Sequence, residues 1–285
     1  MKNLPSSFKR PWRKVLYEKQ DYPDNYVDPN VFLKELKKNS TLEKVTLWEA
    51  HLGTNLFCQE FSVVVLFLLV YYYIVNNMVQ PWHIFYGTTG IGFVGFVFYR
   101  FKIRDDSLKR TIGHDIRTIL TFVVFGQLFS PVLHTLTDTI STDTIYTTTF
   151  LMMVIHLIFF DYGVSAAIVS RSLSLSAAIF ASICLASRLS SANEAFILMT
   201  VSTQAFVLFP ILRKEIGNSI LLTICLILVE SLLLVKTSLA ASCLFFLALV
   251  VIEACPLLFV TCHKYRMNIH GPWDEAVITD TNVIR

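Results

Sequence analysis

An all-α fold, a polytopic transmembrane helix bundle of about eight spans with an amphipathic cytoplasmic N-terminal arm, is what this sequence predicts, and three observations carry the prediction. The chain of 285 residues is 54% hydrophobic and 16% charged, with a mean hydropathy of +0.57, more apolar surface than one soluble core can bury. Its apolar residues come in long continuous runs instead of the alternation of a barrel strand, and only helices or closed barrels satisfy their backbone groups in lipid. Windows of about 20 apolar residues recur at roughly 55–75, 82–99, 116–136, 145–160, 164–186, 194–212, 217–235 and 238–262.

Charge placement orients these runs. Lys and Arg crowd before the first span, between the second and third (Arg100, Lys102, Arg104, Lys109, Arg110), at Arg213 and Lys214, and at Lys264 and Arg266, whereas the opposite side offers Arg188 and Lys236. The positive-inside rule, with an even number of spans, puts both termini in the cytoplasm. The expected domains are a cytoplasmic arm with amphipathic helices over 1–54, a transmembrane bundle over 55–262 and a cytoplasmic tail over 263–285. The stretch before residue 54 is polar and basic, so the first span is expected to direct insertion itself.

Taken in order, the arm opens with W-R-K-V-L-Y-E at 12–18 and P-D-N-Y-V-D at 23–28. Aromatic rings mixed with Lys and Arg suit a headgroup interface or a partner surface, which makes Trp12 and Tyr17 docking candidates. Asp28 before Pro29 reads as a helix start. Two amphipathic pieces follow, one with Phe32 and Leu36, the other with Leu42, Val45, Trp48 and Leu52 on one sector, and both can lie on a membrane surface or dock on protein. Span two holds Gly87, Gly90, Gly92 and Gly95, a close-packing signal. The loop after it reads as a solvated basic anchor, with anionic-lipid contact as its sharper reading. Span three meets Pro131, which should break or kink it, and Asp143 reads as the N-cap of span four.

Ile145–Phe160 and Val164–Ala186 are separated by Asp161, Tyr162 and Gly163 alone, so they fold back as a helical hairpin, and the rest of the chain is arranged around it. Its second limb carries Ala166, Ser170, Ser174, Ala178, Ser182 and Ala186 at four-residue spacing, a ridge of small side chains that lets another helix approach closely. His156 and Asp161, at the hairpin turn, are the candidate lipid or packing site. The structural alternative is simple: Asp161 accepts amides at the start of the next helix and His156 bonds a neighbouring carbonyl. Glu230 and Glu253, acids inside apolar runs, are expected to face the interior and be hydrogen-bonded. The six cysteines sit in or beside apolar runs with no C-x-x-C pair and read as small core hydrophobes. In the tail, Gly271 and Pro272 make a turn that presents Trp273, a third docking candidate.

The chemistry excluded is as informative. The longest hydrophilic stretch is about fifty residues, too short for a nucleotide-binding sheet built from thirty-residue β-α-β units. No phosphate-binding glycine loop, nucleophile elbow or H-E-x-x-H occurs. Glu35 and Glu43 share the E-x7-E spacing of some retaining glycosyltransferases, but without two Rossmann-like domains around them the match is coincidence. No catalytic residue, metal, cofactor or nucleic-acid partner is therefore expected.

Together W-R-K-V-L-Y-E, P-D-N-Y-V-D, S-P-V-L at 130–133, S-T-D-T-I-Y at 141–146, H-L-I-F-F-D-Y-G at 156–163, C-L-A-S-R-L at 184–189 and N-I-H-G-P-W-D-E-A at 268–276 resemble the PIG-C family, the C-type subunits of phosphatidylinositol N-acetylglucosaminyltransferase. The resemblance spans Trp12 to Ala276; Arg171 is not part of its pattern. It implies a place in the endoplasmic reticulum membrane complex that transfers N-acetylglucosamine from UDP-N-acetylglucosamine to phosphatidylinositol, the first step of glycosylphosphatidylinositol (GPI) anchor synthesis. It also implies partners of the PIG-A, PIG-H, PIG-P, PIG-Q and PIG-Y types and a regulatory protein of dolichol-phosphate mannose synthase, with the sugar-nucleotide chemistry residing in PIG-A. A non-catalytic membrane subunit, able to meet phosphatidylinositol as an anionic lipid, is the leading expectation. The alternatives are a membrane-embedded transferase acting on a lipid and a lipid transporter. A transporter would favour inverted internal repeats, which the sequence lacks.

Overall fold

The computed structural model describes residues 45–102, 112–137, 139–163, 169–263 and 265–270, with a few isolated positions before residue 45. Among them are eight helices: α1 (Leu47–Val75), α2 (Pro81–Lys102), α3 (Ile112–Thr135), α4 (Thr142–Phe159), α5 (Arg171–Ala186), α6 (Ala192–Ile216), α7 (Ile220–Thr237) and α8 (Leu239–His263). The fold is thus the all-α membrane bundle that the hydropathy predicts. By length and apolar character α1, α3, α4, α6, α7 and α8 can cross a membrane. At 1.5 Å per residue, the 16 residues of α5 reach only about 24 Å, short of a hydrocarbon core of about 30 Å. Glycine, threonine and histidine dilute the apolar character of α2.

The bundle, Leu47–Phe259, is one compact unit. A second unit brings together described residues before and after it, where β1 (Lys37–Lys38) pairs antiparallel with β2 (Ile269–His270). Trp12, Tyr17 and Trp273 lie outside the described residues, as do Ala166 and most of the first amphipathic piece. The second piece, from Leu47 onward, is not a separate surface helix: it runs straight into the first span as the opening turns of α1.

Helix α6 packs against α1, α2, α3 and α5, and α4 lies closest of all to α5. Their core joins Phe67, Tyr71 and Ile74 of α1 to Ala178, Ala181 and Leu185 of α5 and to Ile197, Leu198 and Phe206 of α6. Lipid tails are as apolar as leucine, so such a bundle holds by close packing more than by burial. Gly126 of α3 faces the Phe196 ring, where an added methyl would stand 3.0 Å from it, and Gly95 of α2 faces Leu212 at the same distance. Gly87 and Gly90, expected to pack, meet nothing within 4 Å. A smaller cluster of Leu69, Leu234, Phe245 and Leu249 joins α7 and α8 to α1.

Several expectations need correcting. The hairpin connection is longer than three residues: α5 starts at Arg171, with Ser170 as its extended N-cap residue, because the chain first makes the turn at Gly163 and then runs without helix at Val169 and Ser170. Ser141, not Asp143, caps α4, its side chain accepting from the Thr144 N–H. Pro131 does not end α3, which continues to Thr135. Only Cys58 and Cys184 are buried; Cys225, Cys243, Cys255 and Cys262 are exposed on the outside of α7 and α8, where a membrane helix shows its lipid-facing side chains.

Candidate functional site

The site is built around one carboxylate in the first half of α1. Glu60 is completely buried, and it receives Arg213 Nη1 at 2.9 Å on one oxygen and His156 Nε2 at 3.0 Å on the other. Facing a carboxylate, Nε2 is the ring nitrogen that donates. The other nitrogen, Nδ1, lies 2.8 Å from Ser174 Oγ and 3.0 Å from the Ser174 carbonyl, and the His156 carbonyl lies 3.0 Å from the same hydroxyl, whose single proton goes to one of these two acceptors, Nδ1 or the His156 carbonyl. One chain of polar contacts therefore stitches α1, α4, α5 and α6 together. A buried carboxylate is costly unless it is paired and hydrogen-bonded, and both of its oxygens are engaged here.

Aromatic rings close the cluster. Arg213 lies 4.9 Å from the Phe160 ring centroid and 6.0 Å from that of Phe209. His156 meets Phe160 and Phe206 edge-on at 5.5 and 5.0 Å. Phe206 belongs to a π-helical turn inside α6, Gln204–Leu208, that precedes Pro210. Such a turn adds a residue to the helix, re-aims the side chains after it and is frequent at functional sites.

At the end of α4 the backbone turns extended at Phe160. Asp161 then accepts the Gly163 N–H at 3.0 Å in a turn that needs the positive φ of +83° at Gly163, and Ser170 N–H returns to the Phe159 carbonyl at 3.1 Å. Arg171 Nη2 pairs with Asp161 at 2.6 Å, and Lys214 Nζ stands 3.6 Å away. The Arg171 hydrogen bond, then that of the Gly163 amide, hold the Asp161 carboxyl below its ordinary range. Tyr162 is pushed above its ordinary range, first by burial and then by the nearby charge of Glu60, and donates to the Leu157 carbonyl at 2.7 Å.

Between these elements lies a cavity of about 290 Å³. Leu175, Val207, Pro210 and Ile211 make its apolar wall, His156 and Ser174 contribute to its lining, and Asp161, Arg171, Lys214 and Glu215 form its charged rim. No cluster among the described residues could hold a metal ion.

The structure brings His156 and Asp161 to the same cavity in different roles, one buried in the cluster and one on the rim. Of the small-residue ridge, Ser174, Ala178, Ser182 and Ala186 are buried, and Ser182 bonds Ser202 of α6 at 2.6 Å; Ser170 is half-buried ahead of the helix. Sequence reading misses Glu60 and Arg213. Glu60 is an acid inside an apolar run, the same signal that singles out Glu230 and Glu253, while Arg213 reads in the sequence as a loop charge. Glu253 is exposed and pairs with His51 at 3.2 Å instead of facing the interior. Glu230 is fully buried on α7, where the Ser62 hydroxyl of α1 stands beside its carboxyl and no basic group is paired with it among the described residues.

Comparison with known proteins places these residues in a wider frame. A family profile described as GPI2, phosphatidylinositol N-acetylglucosaminyltransferase, matches residues 12–274. The chain is 40% identical over 278 residues to the C-type subunit of phosphatidylinositol N-acetylglucosaminyltransferase from Bos taurus, a match that covers 94% of this chain and 93% of that protein. It is 40% identical over 281 residues to the corresponding protein of Homo sapiens, with the same coverage. It is also 29% identical over 283 residues to the GPI2 subunit of Schizosaccharomyces pombe, covering 87% of that protein. No solved structure matches.

Proposed function

Because the chain belongs to the PIG-C family of phosphatidylinositol N-acetylglucosaminyltransferase subunits and is thus a member of the GPI N-acetylglucosaminyltransferase complex, we propose that it serves there as a non-catalytic membrane scaffold that presents the lipid acceptor. The observation that carries this reading is that Leu47–Phe259 is a helical bundle and that the described residues include no parallel sheet on which a sugar nucleotide could lie. The buried cluster at Glu60 supports a structural role, since its acid, histidine and arginine are spent on one another.

In this reading the chain sits in the endoplasmic reticulum membrane with both termini cytoplasmic, consistent with its positive charge before the first span and after the last. Subunits of the PIG-A, PIG-H, PIG-P, PIG-Q and PIG-Y types assemble with it, the first supplying the sugar-nucleotide chemistry. Purification through this chain, with partners identified by mass and transfer from UDP-N-acetylglucosamine assayed with and without it, tests the reading. The chain alone in liposomes is expected to give no turnover, and its removal from the complex to abolish activity. Turnover by the isolated chain would overturn the non-catalytic role. The topology has its own reporter, the sequon Asn39-Ser40-Thr41, which should stay unglycosylated. A glycosidase-sensitive mass shift lost in Asn39→Gln would invert the orientation.

A further inference from the structure

We propose that the cavity between α4, α5 and α6 seats the headgroup of a phospholipid that carries both a phosphodiester and free hydroxyls. Its walls divide by chemistry. The rim holds two cations and two carboxylates, Arg171, Lys214, Asp161 and Glu215, while Leu175, Val207, Pro210 and Ile211 behind them are apolar. That division matches an amphiphile better than a soluble sugar phosphate. The rim also lies at helix ends: Asp161 follows α4, Arg171 begins α5 and Lys214 falls in the last turn of α6. In a membrane bundle that is the headgroup level, where a lipid phosphate resides.

The rim groups select among lipids. Arg171 and Lys214 have side chains 71% and 56% exposed and converge on the single carboxylate of Asp161, so their remaining N–H donors are open to a phosphate oxygen. A quaternary ammonium headgroup meets the two carboxylates by charge alone, since it has no N–H or O–H to donate to them, and such an undirected, solvent-screened contact is weaker than a hydrogen bond. A hydroxylated ring or glycerol satisfies both, donating to Asp161 and Glu215 while its phosphodiester meets the cations. A volume of about 290 Å³ suits a headgroup and not a whole lipid. Ile211, 45% exposed, and Leu208, 51% exposed, continue the apolar wall outward and give acyl chains a way out. The floor does not compete for the ligand, because His156 and Ser174 are already paired with Glu60 and with each other.

The inference deepens the acceptor-presenting role proposed above and rests on it. Binding is read on the full-length chain in detergent with fluorescent short-chain phosphatidylinositol, competed by phosphatidylglycerol, phosphatidylserine, phosphatidylcholine and the deacylated glycerophosphoinositol. The expected order is phosphatidylinositol, then phosphatidylglycerol, then phosphatidylserine, with phosphatidylcholine and the deacylated headgroup far weaker. Arg171→Ala and Lys214→Ala should each weaken phosphatidylinositol about tenfold, as for one lost charge-assisted hydrogen bond. Both side chains are more than half exposed, so the fold should tolerate their loss. The cavity-filling Leu175→Trp should abolish binding without touching the rim charges. Equal competition by phosphatidylcholine, or wild-type binding by the Arg171→Ala, Lys214→Ala double variant, would overturn the site. Transfer by the intact complex separates the two readings. A double variant that assembles and keeps its KM for phosphatidylinositol sinks the site and leaves the subunit role standing. A complex fully active without this chain sinks the role, whatever the chain binds.

Discussion

Glu60 and Glu230 are both fully buried glutamates in a membrane bundle, one on α1 and one on α7, and their surroundings are opposite. Glu60 has a partner on each oxygen and through them ties four helices together. Glu230 has no basic partner among the described residues. The difference teaches that an acid inside an apolar run does not announce its role by itself. What decides is whether distant parts of the chain bring donors to it, and the donors of Glu60 come from positions 96 and 153 residues away.

The sharpest way to break the comparison is Glu60→Gln. It leaves the Arg213 charge buried with no counter-charge, and breaking one side of a buried pair costs about 3–5 kcal/mol. A large fall in melting temperature in detergent and loss of co-purifying partners are expected. The double variant Glu60→Leu, Arg213→Met removes both charges and should recover most of the loss, so a double-mutant cycle is expected to show strong coupling. Additive effects would mean that the pair does not hold the helices together.

Next in size are Ser174→Leu and Ala178→Leu, on the face of α5 that meets its neighbours. Overpacking costs about 1–3 kcal/mol, and Ser174→Leu should be the worse of the two because it also removes the hydroxyl beside His156 Nδ1. Cys243→Leu, at an exposed position on α8, is the control expected to change nothing. Equal melting temperatures for all three would show that the ridge is not a packing surface.

These residues also show how far the sequence can be read. Hydropathy fixes local facts, and the eight helices and the α4–α5 pairing are of that kind. Four-residue spacing of small side chains is local too; of the six residues it picks out, Ser174, Ala178, Ser182 and Ala186 lie buried on α5, whereas Ser170 precedes the helix and Ala166 lies outside the described residues. The pairing of Glu60 with Arg213 is not local, and a count of loop charges places Arg213 on the wrong side of the boundary between water and core. Nor can periodicity reveal the π turn at Gln204–Leu208, because one added residue changes which side chains share a face without changing composition. Apolar character alone likewise assigns all six cysteines to the interior, whereas in a membrane the outer surface of α7 and α8 is equally apolar.

Glu230→Leu sharpens the contrast from the other side. Removing a buried acid that has no basic partner relieves a desolvation cost of about 1–3 kcal/mol, part of which is taken back by the altered shape and by the Ser62 hydroxyl left beside a hydrocarbon. The expected result is an unchanged or slightly raised melting temperature and normal assembly. A loss comparable to that of Glu60→Gln would mean that Glu230 has a partner in the assembled complex.

The smallest effect belongs to Asp161→Asn, on the rim instead of in the cluster. Its pair with Arg171 is largely solvent-facing, and such pairs contribute about 0–1 kcal/mol. The amide keeps an oxygen for the Gly163 N–H, so the turn should survive. The folded carboxyl titrates below its ordinary range, so its contribution is fully present above the unfolded carboxylate pKa of about 4. It is lost as pH falls through the lower folded value. Wild type and variant should therefore melt slightly apart at neutral pH and converge in acid, with assembly retained and only a modest rise in the KM for phosphatidylinositol, because the amide oxygen still accepts a lipid hydroxyl. A fully assembled but inactive Asp161→Asn complex would show that the negative charge of Asp161, and not only an acceptor oxygen, is needed at the rim, and the contrast with the purely structural Glu60 would then be one of charge used for packing against charge used for the ligand.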